Sequence, residues 1–225
     1  RGFREGDNPA RWRGHLDKLL APRKKRQKHH AALDFKQLPA FMTDLRKRDG
    51  FAARALEFAI LTAARSGEVR GASWTEIDFD ERLWIVPGRR MKAGKEHRVP
   101  LSDSAMSILN AMPREEDKPD GLIFTSPNGG KLSDMALGAV LTRMDVAVTA
   151  HGFRSTFRDW AAERTSHQPD VVEMALAHTI RNQVEAAYRR GDLLEKRRQL
   201  MNDWANYCSV NKCGRVINIH ERVSA

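Results

Sequence analysis

With 225 residues, 41% of them hydrophobic, the chain has material for one ordinary domain with a real core, and no apolar run in it is long enough to span a bilayer. Lysine and arginine number 39 against 29 aspartates and glutamates, and the net charge of +10 favours a polyanionic partner, either nucleic acid or an anionic surface. Only two cysteines occur, Cys208 and Cys213; this speaks against a disulfide framework, makes a poor zinc site and fits a cytoplasmic protein.

The opening text, RGFREGDNPARW, has neither a starting Met nor a signal peptide and reads like the interior of a longer protein. Residues 9–20, PARWRGHLDKLL, suit a short helix entered through Pro9. The next stretch, APRKKRQKHH, is a basic run without apolar spacing. Its Arg23, Lys24, Lys25 and Arg26 read as a strap along a phosphate backbone rather than only as a solvated linker. LPAFMTDLRKR, residues 38–48, predicts a helix with Pro39 in its first turn and Gly50 beyond its end. FAARALEFAILTAA, residues 51–64, has almost no polar side chain and predicts a buried helix that stops at Arg65. Ser66 is then placed to cap a short helix through Val69.

The period changes after Asp78. RLWIVP (82–87) and HRVPLS (97–102) read as two strands joined by the basic turn GRRMKAGKE, and LIFTSPNGG (122–130) as a further strand and turn. From Lys131 to about Tyr207 the pattern is helical. The fold class expected is α+β, mainly α, with one small antiparallel β-sheet.

Several chemistries are absent from the text. GRRMKAGK has the wrong glycine spacing for a P-loop and no Ser or Thr after Lys95. There is no HExxH, no GxSxG and no carboxylate cluster for a two-metal site, so neither a metal nor any other cofactor is expected. What remains is a set of cations and one phenol. Arg65 precedes a helix start, where free N–H groups and the helix dipole suit a phosphate. Lys92 lies in the hairpin turn. His151 and Arg154 share the first turn of a helix that Thr149 is placed to cap. His178 and Tyr188 lie in LAHTIRNQVEAAYRR. Of the two tyrosines, Tyr207 sits near Trp204 and reads as packing. Tyr188 has small neighbours and two following arginines, and a phenol of pKa about 10 needs such cationic surroundings to act as a nucleophile. Singly, each of these residues reads as structural; together they do not.

The order Arg, Lys, His-x-x-Arg, His, Tyr is carried by AARSGEVRGASWTEID, MKAGKEHRVPL, HGFRSTF and LAHTIRNQVEAAY. It resembles the tyrosine recombinases, or phage integrases, and especially those of prophages and genomic islands. The charged stretch LLEKRRQLMNDWANY after the tyrosine is similar to their C-terminal helix. The resemblance covers roughly residues 31–207 and implies a helical tyrosine-recombinase catalytic domain over residues 31–225. Residues 1–30 would be the end of a core-DNA-binding domain and a basic linker.

By the same resemblance Tyr188 would attack a DNA phosphodiester and form a 3′-phosphotyrosyl bond. Arg65 and Arg154 would hold the non-bridging oxygens, and Lys92 would protonate the leaving 5′ oxygen. His151 would assist proton transfer, His178 would hydrogen-bond the same phosphate, and Glu68 would orient Arg65. The partners implied are double-stranded DNA attachment sites, a recombinase tetramer on two such sites and a DNA-bending accessory protein, with no membrane. Two alternatives stay open: a non-catalytic DNA-binding remnant of an integrase, and an enzyme like a type IB topoisomerase. The final stretch GRVINI (214–219) is a candidate strand for a neighbour's sheet.

Overall fold

The computed structural model describes Asn8 and residues 10–20, 30–115, 118, 120–178 and 191–209. The expected N-terminal helix is broken. Arg13 is extended and Gly14 turns left-handed at φ 80°, leaving a distorted turn at Trp12–Leu16 and a single helical turn, α1, at Asp17–Leu19. Glycine adopts that conformation without steric cost, which an uninterrupted helix would not use. No residue of these turns is buried.

From Phe35 onward the chain packs. A short 3-10 turn, Phe35–Gln37, leads into α2 (Leu38–Arg46), and Gly50 at φ 93° starts α3 (Phe51–Leu61). Arg54 of α3 closes the end of α2: its Nη2 donates to the carbonyls of Leu45, Arg46 and Arg48 at 3.0, 3.2 and 3.0 Å. These are groups a helix end leaves without partners. Glu57, buried, balances the charge through Arg46 at 2.8 Å and Arg54 at 2.7 Å.

Helix α3 is the centre of the molecule. It contacts α2, α4 (Ser66–Val69), α5 (Asp103–Ala111), α6 (Ala136–Arg143) and the C-terminal helix α9 (Leu194–Ser209). Phe58 stands between Trp84 and Phe124, with ring centres 5.4 and 5.5 Å away. Burial of side chains this large contributes about 1.5–3 kcal/mol each. Trp204 of α9 is also fully buried, and its Nε1 donates to the Ile60 carbonyl at 2.8 Å. The remaining helices are α7 (Gly152–Arg164) and α8 (Pro169–Ala175).

The sheet has the order β1-β2-β3, antiparallel throughout: β1 (Ile77–Asp78), β2 (Leu83–Val86) and β3 (His97–Pro100). The hairpin β2–β3 is the expected one, paired Val86 to His97 and Leu83 to Pro100. The third strand is not the expected one. Residues 122–130 form only isolated bridges, Ser73 to Leu122 and Thr125 to Lys131, because the Ile123 amide is taken by the Ala72 carbonyl rather than by a strand. Two further differences concern helix starts. Ser66 does not cap α4; the residue before the helix is Arg65, and its amide goes to Glu68 Oε2 at 3.0 Å. Helix α5, which the sequence reading passed over, is capped by Ser102, whose hydroxyl accepts from the Ala105 amide.

Candidate active site

Arg65 owes its position to a turn. Helix α3 ends at Leu61 with Thr62 as its cap, and Ala63 takes φ 49°, a left-handed conformation uncommon for a residue with a Cβ. The chain then leaves α3 sharply and enters α4 through extended Arg65. The buried Glu68 carboxylate grips Arg65 twice, accepting the amide on Oε2 and Nη1 on Oε1 at 2.8 Å. Arg65 Nη2 reaches the Ala177 carbonyl at 3.3 Å. The Arg65 amide, just before the helix start, is therefore taken by Glu68, whose carboxylate stands three residues on. The guanidinium is the part of Arg65 that faces the site.

Arg154 comes up from the first turn of α7 and is 5% exposed. Its Nη1 donates to the Ala63 carbonyl and its Nη2 to the Leu176 carbonyl, while Nη2 lies 3.2 Å from His178 Nε2. Nε is buried and has no partner among the described residues. Burial, and then the positive charge of Arg65, push its pKa down to about 10, so it stays a cation at neutral pH. Ala177, which holds Arg65, is the second left-handed alanine at φ 48°. The two turns that present carbonyls to the two arginines are thus both bent where a Cβ disfavours it, at roughly 1–2 kcal/mol each.

His151 directly precedes α7 and is exposed, with the His30 ring 4.6 Å from its own. Thr149 supplies the anticipated cap, its hydroxyl accepting from the Gly152 amide at 3.0 Å. Desolvation of part of the ring holds the His151 imidazole below the ordinary range, and the charges of Arg154, His30, Arg65 and His178 add to that. His178 follows α8; its Nδ1 lies 2.6 Å from Glu173 Oε2. Arg65, His151, Arg154 and His178 are therefore gathered from three separate stretches of the chain.

Lys92 is not part of this gathering. It stands exposed in the turn between β2 and β3 and makes no hydrogen bond or ion pair with a described residue. The hairpin's base is braced, however. Arg90 pairs with Glu76 and donates to the Glu68 carbonyl, and Glu76 also accepts from Trp84 Nε1 at 3.0 Å. Tyr188, the strap residues Arg23, Lys24, Lys25 and Arg26, and the GRVINI stretch lie outside the described residues.

Three neighbours of the site escaped the sequence reading. Glu173 reads in the text as one more acid on a helix. His30 was counted only as part of the basic run. His97 lies in the strand text HRVPLS, and nothing in that text marks the Ala175 carbonyl or the positive charge of Arg197, both of which act on its ring. Tyr207 is as anticipated: its hydroxyl donates to the Phe35 carbonyl at 2.9 Å, its ring packs near Trp160 and Trp204, and burial raises its phenol. Among the described residues no group of His, Cys, Asp and Glu could hold a metal ion, and no helix is long and apolar enough to cross a membrane. Chemically, the cluster joins two arginine forks to two imidazoles, an arrangement suited to a bound oxyanion.

Comparison with known proteins points the same way. The profile of the Phage integrase family matches residues 31–193. Prophage integrase IntA of Escherichia coli (strain K12) is 36% identical over 82% of this chain and 46% of its own length. The integrase of enterobacteria phage P4 is 32% identical over 82% of this chain and 47% of its own. The chain thus spans about half the length of these curated relatives. Among solved structures, the integrase from mycobacterium phage Brujita superposes with a TM-score of 0.58 at 19% identity, over 85% of this chain and 63% of that one. A lambda integrase dimer bound to a COC′ core site gives 0.54 at 16%, over 74% and 63%. At those identities the likeness to solved structures is one of fold. The profile and the relatives carry the assignment further, and the chain belongs to the phage integrase family, the tyrosine recombinases.

Proposed function

We propose that this chain is the DNA-cleaving part of a site-specific recombinase that integrates or excises a mobile element through a 3′-phosphotyrosyl intermediate. The observation that carries this reading is the meeting of Arg65 and Arg154 beside His178 and His151, with guanidinium groups held by main-chain carbonyls. A diester phosphate set before them receives N–H groups from both arginines, and these bonds strengthen as charge builds on the non-bridging oxygens. The Tyr188 oxygen attacks phosphorus, its proton leaving by way of His151. The P–O5′ bond breaks, and Lys92 gives that oxygen its proton once the hairpin turn closes on DNA. A 5′-hydroxyl of the second strand then attacks the phosphotyrosine and restores a diester. One ester replaces another, so no nucleotide cofactor is needed.

Tyr207 does not compete for the nucleophile's role, because its hydroxyl is engaged by Phe35 and its phenol is raised, the wrong direction for attack. Residues 31–225 form the catalytic domain in this reading, and residues 1–30 the end of a DNA-binding domain and its linker. The partners are attachment sites in double-stranded DNA, three further copies in a tetramer on two sites, and a DNA-bending protein, all in the cytoplasm.

The test is adduct trapping. A duplex carrying the element's attachment junction, nicked close to the cleavage point, is incubated with the intact protein. Wild type forms a covalent protein–DNA species, Tyr188→Phe forms none, and Arg154→Ala forms it about 10²–10³ times more slowly. A Tyr188→Phe protein that still traps DNA removes Tyr188 as nucleophile, and a wild type that traps none leaves a DNA-binding protein without this chemistry.

A further inference from the structure

We propose that Glu173 is a positioning residue that sets the proton arrangement of the His178 ring and lets that ring take up a proton when a phosphate arrives. The inference rests on the reading above for the phosphate, but its first half concerns the protein alone.

The geometry is direct. Glu173 Oε2 lies 2.6 Å from His178 Nδ1, and the Glu173 carbonyl accepts the His178 amide at 3.0 Å. Ring and main chain of His178 are therefore pinned to one residue. The other carboxylate oxygen, Oε1, lies 2.7 Å from Nε of Arg158. Arg158 stands one helical turn after Arg154 on α7, so the same helix face that presents one arginine to the site fixes the carboxylate with the next.

The opposite ring nitrogen decides the tautomer. His178 Nε2 lies 3.2 Å from Arg154 Nη2. A guanidinium only donates, so Nε2 is the acceptor and carries no hydrogen in this arrangement. The hydrogen of the neutral ring then sits on Nδ1 and is donated to Glu173. Free histidine prefers the other tautomer; Glu173 reverses that preference.

A phosphate oxygen placed before Arg154 changes the balance. It accepts the Arg154 N–H that now goes to Nε2, and the bare Nε2 lone pair then faces an anion. One proton from solvent, added to Nε2, turns repulsion into a hydrogen bond, and the ring becomes an imidazolium that donates at both nitrogens. The charged groups around it are Arg154 and Arg158 from α7, Glu173 from α8 and Arg65 from the α3–α4 turn, and the titratable ring of His151 stands close enough to interact with it. Glu173 is the acid in this set that touches the ring, so it is the group that compensates the added charge.

Two measurements test this. In protein labelled with ¹⁵N-histidine, the His178 nitrogens report their hydrogen directly: the expected wild-type ring carries it on Nδ1, and Glu173→Ala moves most of the population to Nε2. A wild-type ring protonated on Nε2 when neutral, or one unchanged by Glu173→Ala, overturns the inference. Calorimetric titration of Tyr188→Phe protein with the attachment duplex, in two buffers of different ionisation enthalpy, counts protons taken up. Glu173→Gln, which keeps an acceptor for Nδ1 but not the charge, is expected to lose at least half of that uptake. Equal uptake with and without the carboxylate refutes the second half. The resonance measurement reads the protein without DNA, so its failure is separate from any failure of adduct trapping.

Discussion

His97 shows how much a single half-buried ring can weigh. It begins β3 near the Ala175 carbonyl, within the influence of the charges of Arg197 and Arg154; burial first, and Arg197 next, push its pKa down to about 4. In the unfolded chain the ring titrates near its ordinary value of 6.5. Between the two values the unfolded state binds a proton that the folded state refuses. The stability present above pH 6.5 is therefore lost as pH falls toward 4, by at most about 3 kcal/mol. The urea midpoint should fall across that window, and His97→Gln should flatten this part of the fall; an unaltered slope would place the titration elsewhere. Nothing in the text HRVPLS announces this. Arg65, His151, Arg154 and His178 were legible because their order and spacing form a pattern. Glu173, His97 and His30 work through contacts made only when distant elements meet, and a lone acid or histidine on an element has no such pattern.

At the scale of elements, the stretch before α2 is held to α7 by contacts that leave no room for a side chain. Thr149 N–H donates to the Ala31 carbonyl at 3.0 Å and Thr156 Oγ1 to the Leu33 carbonyl at 2.7 Å. A Cβ on Gly152 would lie 2.0 Å from that Ala31 oxygen and 2.9 Å from Ala32 Cα. Both are main-chain atoms, so Gly152→Ala forces residues 31–32 away from α7. The expected cost is roughly 1–3 kcal/mol, read as a lower denaturation midpoint, together with separation of the His30 and His151 rings. A midpoint equal to wild type would mean that this contact is looser than the geometry has it. The long helices were readable from their apolar spacing, α3 most clearly because it is buried nearly all round. Short elements were not. Two-residue β1 has no period to detect, and the apolar run at 122–125 is buried in a loop whose amides bond outside any ladder. Gly14 sits in a helical pattern and breaks it, in a segment none of whose described residues is buried.

Across the whole molecule, in the function proposed above, the surplus of ten positive charges would set how DNA is held. Each lysine or arginine that neutralises a phosphate releases a counterion, and the slope of log affinity against log salt steepens by about 0.9 per contact. If Arg23, Lys24, Lys25 and Arg26 lie along the backbone, replacing all four by glutamine should reduce that slope by about 3–4 while leaving the choice of sequence nearly unchanged. Filter binding or anisotropy between 50 and 200 mM salt, on the order of conditions where such contacts are lost, gives the number; an identical slope assigns the charge of binding to other residues.

Both arginines of the site are lodged on carbonyl oxygens, those of Ala63, Leu176 and Ala177. A carbonyl is the one group that a codon change cannot delete. Descendants of this chain can therefore exchange the side chains of these three residues without removing those acceptors. What they must preserve is the path of two bends, at φ 49° and 48°, where glycine or asparagine can stand in for alanine and valine or isoleucine cannot.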